Sequence, residues 1–335
     1  MLHRMNTKPS SVLESNLNGA RLSHLSIGCT APKAGETPAL PGNHLLIRAP
    51  LESNLSSVID PGSEPHSPDL YTVAAEATPL DGLEAVTDEH IAFYRQEGYL
   101  AIDNVFTPGE VESAKAGLLD LILGRNTSFA GITFEAGAAE RLEELTVDER
   151  QDAVRKLMHF VDHEPRLKAA SEKPAVLALI GRILGESPRM FQDMALIKPP
   201  RFGREKPWHQ DKAYFDLPVD ARVTGVWIAL DPATVENGCM HLQPLGHHRG
   251  PQIHFKRRDW QICDTEIMGK PSVAVPLRPG GALFFDGLLP HGTPTNYSPH
   301  RRKALQFHYA GASCGKTSTG ERLAVFGSEG KDVTC

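Results

Sequence analysis

His209-Gln210-Asp211 is the tripeptide in this sequence best suited to chemistry. In an extended segment side chains alternate, so residues i and i+2 face the same way. His209 and Asp211 can then approach one metal ion while Gln210 points away. One imidazole and one carboxylate need a second imidazole to complete a facial triad. That triad is the usual site for non-haem Fe(II), with three positions left open for substrates. His291 fits best, because it follows Ala282-Leu283-Phe284-Phe285, a strand by its pattern, and the loop 286–290. The chain has 15 His, so a later His is no rarity, and His248 and His308 stand next in line. The plain alternative is a pair of surface polar residues and a hydrogen-bonded loop histidine.

A second group lies just beyond. Arg302 opens the run Lys303 to Tyr309. On a strand there, Arg302, Ala304, Gln306 and His308 share one face, and Leu305, Phe307 and Tyr309 share the other. A polar face opposite an apolar one suits a strand lining a wet cavity. Arg302 can hold a carboxylate through two parallel charge-assisted bonds. Arg301 then points the opposite way and reads as a surface arginine.

These residues need a scaffold. All 13 Phe and all 3 Trp lie at or beyond Phe93. Residues 1–78 are rich in Ser, Pro, Asn and Gly and read as a disordered or non-essential tail, unable to offset their ordering entropy. Residues 79–335 read as a single domain, with a helical part over about 87–185 and a strand-rich core over about 186–312. Thr87 caps a helix that Gly98 stops, and Tyr99 to Ile102 reads as a strand. Thr107-Pro108 starts a second helix. Three more are predicted at about 146–158, 164–170 and 173–184. Short apolar runs then recur between Gly and Pro turns: Met190 to Ile197, Val223 to Leu230, Met240 to Gln243, Val273 to Leu277, Ala282 to Phe285 and Lys303 to Tyr309. Helices first and strands afterwards predict α+β segregation, with the strands in a sandwich or jelly roll.

Composition narrows the function. The net charge of -6 argues against a nucleic-acid binder, which usually carries a basic patch. No apolar run reaches the ~20 residues of a membrane helix. The five Cys are scattered and odd in number, with no C-x-x-C pair. That predicts neither a disulfide scaffold nor a cysteine zinc site, and a reducing, cytoplasmic location. No Gly-x-Gly-x-x-Gly follows a strand and no Walker sequence occurs, which disfavours a nucleotide-cradling fold.

Trp208-His209-Gln210-Asp211 with Tyr214-Phe215, Trp227, Asn237-Gly238-Cys239, His291-Gly292-Thr293 with Asn296 and Ser298, Arg302-Lys303-Ala304 and His308-Tyr309 follow in an order and spacing that resembles the phytanoyl-CoA dioxygenase family. The resemblance runs from about Thr87 to Tyr309. It implies a double-stranded β-helix with an N-terminal helical layer, using Fe(II), 2-oxoglutarate and molecular oxygen. It implies that His209, Asp211 and His291 bind iron, and that Arg302, helped by Thr293, holds the distal carboxylate of 2-oxoglutarate. Trp227, Met194 and Lys156 match further positions near that cosubstrate. Without the resemblance, Trp227 and Met194 read as core residues. The sequence departs from the family at Pro244-Leu245-Gly246-His247-His248, which carries one residue more than the usual turn.

The activity so implied is hydroxylation of an unactivated C–H bond of a small organic substrate, an acyl-CoA or a free metabolite, coupled to decarboxylation of 2-oxoglutarate to succinate. Desaturation or cyclisation on the same fold is a second reading, and a catalytically silent jelly-roll binding module a third. Arg201, Arg204, Lys206, Lys256, Arg257 and Arg258 are candidate contacts for an anionic substrate, or else solvated surface. A small molecule is the expected partner, with neither nucleic acid nor membrane.

Overall fold

The computed structural model describes residues 58–59, 64–135, 141–142 and 144–328. In chain order its strands are β1 (Val58–Ile59), β2 (Val73–Glu76), β3 (Leu80–Asp81), β4 (Tyr99–Asp103), β5 (Ile132–Phe134), β6 (Val154–Met158), β7 (Pro188–Lys198) and β8 (Lys206–His209). They continue with β9 (Val223–Ala229), β10 (Met240–Leu242), β11 (His254–Lys256), β12 (Trp260–Ile262), β13 (Ser272–Val275), β14 (Ala282–Asp286), β15 (His291–Thr293) and β16 (Arg302–Gly311). The helices are α1 (Asp88–Glu97), α2 (Pro108–Ile122), α3 (Val147–Asp152), α4 (Pro165–Ser171), α5 (Pro174–Leu184), α6 (Asp264–Ile267) and α7 (Thr319–Phe326).

The helix ends follow local chemistry. Thr87 and Thr107 form capping boxes with His90 and Glu110, and Pro108 and Pro174 occupy first-turn positions where no backbone donor is needed. Gly98 and Gly185 close α1 and α5 at φ of 87° and 81°, the left-handed region that glycine enters without strain.

The strands form a nine-stranded sheet in the order β1-β5-β6-β7-β16-β9-β14-β4-β3 and a five-stranded sheet in the order β2-β13-β10-β15-β8. The outer face of the large sheet carries Val226, Ile228, Phe284, Leu305 and Phe307 and is packed by Leu118, Leu121, Leu179 and Ile180 of α2 and α5. Its inner face carries Trp227, Ala229, Leu283, Phe285 and Ala304, which pack with Met240, Leu242, Ala274 and Val275 of the small sheet. Period-two alternation thus splits each central strand between a helix-covered core and an inter-sheet core. The result is a mixed α and β architecture dominated by its sheets.

Three expectations are corrected. The helix predicted at 146–158 ends at Asp152, and Val154–Met158 is strand β6, paired with β5 and β7. Sheet pairing outweighs a modest local helical preference here. The boundary at residue 79 falls too late, since Leu70 and Tyr71 are buried and β2 pairs with β13. Residues 1–57 and 60–63 lie outside the described residues. Cys239 and Cys314 are free thiols, whereas Cys263 is disulfide-bonded. No helix among the described residues is long and apolar enough to cross a membrane.

Candidate metal centre

β8 and β15 are antiparallel neighbours, with His209 directly opposite His291. Asp211 starts the single 3-10 turn that follows β8. The three residues are buried, and one ligand atom from each lies within 4.8 Å of the others, the one such cluster of His, Cys, Asp and Glu among the described residues. His209 Nε2 and His291 Nε2 stand 3.2 and 3.6 Å from Asp211 Oδ1. His209 Nδ1 lies 2.7 Å from the Pro207 carbonyl and His291 Nδ1 2.9 Å from that of Leu289. A carbonyl only accepts, so each Nδ1 carries the proton and each Nε2 offers its lone pair inward. That tautomer is the one a metal ligand needs. Gln210 points away, donating from Nε2 to the carbonyls of Gly250 and Leu288 at 2.9 and 2.6 Å.

The electrostatics suit a cation. Burial, with His291 and Lys206 adding to it, pushes His209 down to about 4, so its ring is neutral at pH 7. Burial alone would raise Asp211, but His291, His308 and hydrogen bonding hold its carboxyl well below the usual range. Its second oxygen, Oδ2, accepts from Gln306 Nε2 at 2.9 Å and His308 Nε2 at 2.7 Å. The predicted polar face of β16 therefore exists. Its last two members support Asp211, which removes His308 from the candidate ligands. His248 donates to the Gln96 carbonyl at 2.9 Å instead.

Arg302 stands at the other end of that face. Across β16, Gln306 lies opposite Met194 of β7 and Trp227 of β9, and Arg302 opposite Lys198. Directly opposed residues share a face. Met158 pairs with Met194 and Lys156 with Leu196, so the strand that replaces the predicted helix carries Lys156 onto the same face. Arg302 is 1% exposed, and its Nε and Nη1 have no hydrogen-bond partner. Trp227 Nε1 is also buried without a partner, and the guanidinium sits 5.2 Å from the Trp227 ring centroid. Burial pulls Arg302 down to about 10, so it remains cationic at neutral pH. A buried cation with unused donors is costly unless an anion completes it. Arg301 instead pairs with Asp152 at 2.5 Å and Asp148 at 3.6 Å. Thr293 is buried on β15, two residues past His291. Lys198 Nζ donates to backbone carbonyls, that of Pro294 at 2.7 Å among them, and so does not compete with Arg302 for an anion.

Most of the suggested anion contacts are already paired. Arg204 bonds Glu135, Lys206 bonds Asp259, and Arg258 bridges Glu205 and Asp264. Arg257 pairs with Glu64 and Asp264, while Arg201 and Lys256 are exposed.

Sequence reasoning missed two supports. His254 is buried and accepts from the Gln210 backbone N–H at 3.0 Å, which fixes the link between the first two ligands. Helix α7 seats Phe326 beside Trp260, and Trp260 meets Tyr214, whose ring edges His209. The capping box Ser318-x-x-Glu321 is the signal that announces α7.

Burial lowers His241 to about 4 and His254 to about 3. In the unfolded chain both take up a proton near the ordinary value of ~6.5. Between pH 6.5 and about 4 the unfolded state therefore binds more protons, and stability falls as pH falls. The melting temperature is expected to decline from pH 6.5 downward, before the carboxylates begin to titrate. A flat profile between pH 7 and 5 would contradict this.

The phytanoyl-CoA dioxygenase (PhyH) family model matches residues 94–304. Phytanoyl-CoA dioxygenase domain-containing protein 1 of Danio rerio is 26% identical over 264 residues, covering 68% of this chain and 90% of its own. The peroxisomal phytanoyl-CoA dioxygenase of Rattus norvegicus is 25% identical over 274 residues, covering 78% and 79%. Among solved structures, the non-heme alpha ketoglutarate dependent carbocyclase SnoK from nogalamycin biosynthesis matches with a TM-score of 0.57 at 23% identity, over 76% of this chain and 91% of that one. Apo EctD from S. alaskensis matches with a TM-score of 0.56 at 19% identity, over 77% and 85%. These two likenesses establish the fold. With the family model covering most of the folded chain, the protein belongs to the phytanoyl-CoA dioxygenase family and is an oxidoreductase that uses Fe(II), 2-oxoglutarate and dioxygen.

Proposed function

We propose that the protein hydroxylates an unactivated C–H bond of a small, free organic substrate inside a double-stranded β-helix. His209, Asp211 and His291 hold Fe(II), and Arg302 anchors 2-oxoglutarate. The unpartnered, buried Arg302 guanidinium carries this reading. Four residues of strand separate Arg302 from Gln306, about 13 Å between Cα atoms. A long arginine side chain and a five-carbon diacid suit that span, one carboxylate meeting Arg302 and the 2-oxo acid end meeting the metal. Trp227 and Thr293 complete the anionic end, while Met194 and Lys156 line its wall.

The bound iron, 2-oxoglutarate and oxygen supply an oxidant able to take hydrogen from carbon. The protein supplies ligation, orientation and a dry surround. Phe285 lies 4.7 Å from the His291 ring and Phe215 4.8 Å from the His308 ring, both nearly edge-on, and they help to exclude water. Gly225 makes room for this, since a Cβ there would stand 2.4 Å from the Phe285 ring. Internal pairing of Arg204, Lys206 and Arg258 favours a free metabolite over an acyl-CoA, whose phosphates need unengaged cations. A screen of small-molecule substrates coupled to succinate formation tests the substrate class, and product analysis separates hydroxylation from desaturation or cyclisation. The folded body is proposed to begin near residue 58, where β1 pairs with β5.

Losing a bond to a charged group costs ~1.5–3 kcal/mol, or about 10- to 150-fold in affinity. Arg302→Gln is expected to raise the 2-oxoglutarate requirement by that order with iron binding largely kept. Arg301→Gln should shift it less than about threefold, as for a peripheral charge. Titration of 2-oxoglutarate against both variants decides it, and the reverse ranking would shift the strand register by one residue.

A further inference from the structure

The second oxygen of Asp211 is as tightly engaged as the first. Oδ2 receives Gln306 Nε2 at 2.9 Å and His308 Nε2 at 2.7 Å. Gln306 is 3% exposed and His308 fully buried. A carboxylate only accepts, so His308 carries its proton on Nε2. Its Nδ1 is buried with no partner, among the rings of Phe191, Phe215 and Phe285. The ring meets the site only through that Nε2–H, and His308 is outside the cluster of His209, Asp211 and His291. The two side chains lie two residues apart on one face of β16, and that strand is fixed on both sides by β7 and β9. They therefore approach Asp211 from a rigid wall, whereas Asp211 itself sits on a short turn after β8.

A six-coordinate ion with three protein donors keeps three positions. A 2-oxo acid takes two of them and oxygen one. A carboxylate that swung round to bind through both oxygens would take one of those three. We propose that Gln306 and His308 are positioning residues that clamp Asp211 Oδ2, so that the carboxylate ligates through Oδ1 alone and the third open position is preserved. This rests on the assignment of His209, Asp211 and His291 as the metal ligands. It assigns the polar pair on β16 a role separate from that of Arg302 on the same strand.

The test uses the full chain with Co(II) as an anaerobic probe, whose visible spectrum reports coordination number. The variants are Gln306→Leu, His308→Leu, their combination, and His308→Gln, which keeps an amide donor. The wild type should take about one Co(II) per chain. Losing such outer contacts typically costs 10- to 100-fold in metal affinity or activity. The double variant is expected to change the Co(II) spectrum and weaken 2-oxoglutarate binding to the Co(II)-loaded protein by about that factor. His308→Gln should restore much of both. Circular dichroism identifies any variant that fails to fold, and the single substitutions and His308→Gln then carry the comparison. Folded variants with a wild-type spectrum and wild-type 2-oxoglutarate affinity would overturn the clamp while leaving the metal site standing. A wild type that takes up no Co(II) would overturn both.

Discussion

Alanine at His209, Asp211 or His291 is expected to abolish turnover, and each of the three should also fail to retain Fe(II). Only three protein donors converge here, and losing one leaves two, too few to hold a labile divalent ion against water. The stability response should differ among them. His209 and His291 each give up one hydrogen bond to a carbonyl, at Pro207 and Leu289. Asp211→Ala instead strands two buried donors, Gln306 Nε2 and His308 Nε2. An unmet buried donor costs ~1–3 kcal/mol. The aspartate variant should therefore melt well below the two histidine variants. Iron quantified after anaerobic loading should give about one Fe(II) per wild-type chain, and 2-oxoglutarate consumption should vanish in all three variants. Near-normal turnover in any one of them would remove that residue from the ligand set.

The centre was legible where it depends on local alternation. His209 and Asp211 converge because a single extended residue, Gln210, separates them, and Gln210 turns out for the same reason. Arg302 and Arg301 part company on the same rule, one buried without a partner and the other paired with Asp152. The support of Asp211 by His308 was not legible, because the two are 97 positions apart in the chain. Alternation says which face His308 occupies, but only the packing of the two sheets brings that face to the turn after β8. The 146–158 segment failed for a related reason. Its pattern suits a helix, yet Val154 to Met158 gain partners on both sides from β5 and β7, strands that local sequence cannot announce.

A chain that starts at Pro79 is expected to lose both soluble folding and turnover, although composition places residues 1–78 in a dispensable tail. Composition registers buried side chains, and the side chains of β2 are exposed. What β2 contributes is backbone pairing with β13, extended by Ala77 N–H to the Ala274 carbonyl at 2.8 Å and Ser272 N–H to the Thr72 carbonyl at 2.9 Å. Just before it, Tyr71 stacks on Trp208 at 5.6 Å and donates to Glu205 Oε1 at 2.8 Å. Trp208 Nε1 in turn donates to the Leu70 carbonyl at 2.8 Å. Trp208 immediately precedes His209, so the segment braces the strand that presents the first metal ligand. Truncating a buried aromatic to alanine costs ~3–5 kcal/mol, against a total of ~5–15 for a typical domain. Removing Leu70, Tyr71 and a whole strand together should exceed what the body can spare. Tyr71→Ala in the full chain isolates one part of this. At roughly 2–4 °C per kcal/mol for a body of this size, it should lower the melting temperature by about 6–20 °C. A chain starting just ahead of β1, which pairs with β5, should keep wild-type melting and activity. Should the chain from Pro79 melt and turn over like the full chain, β2 and Tyr71 would be ornaments on the small sheet and not part of its support.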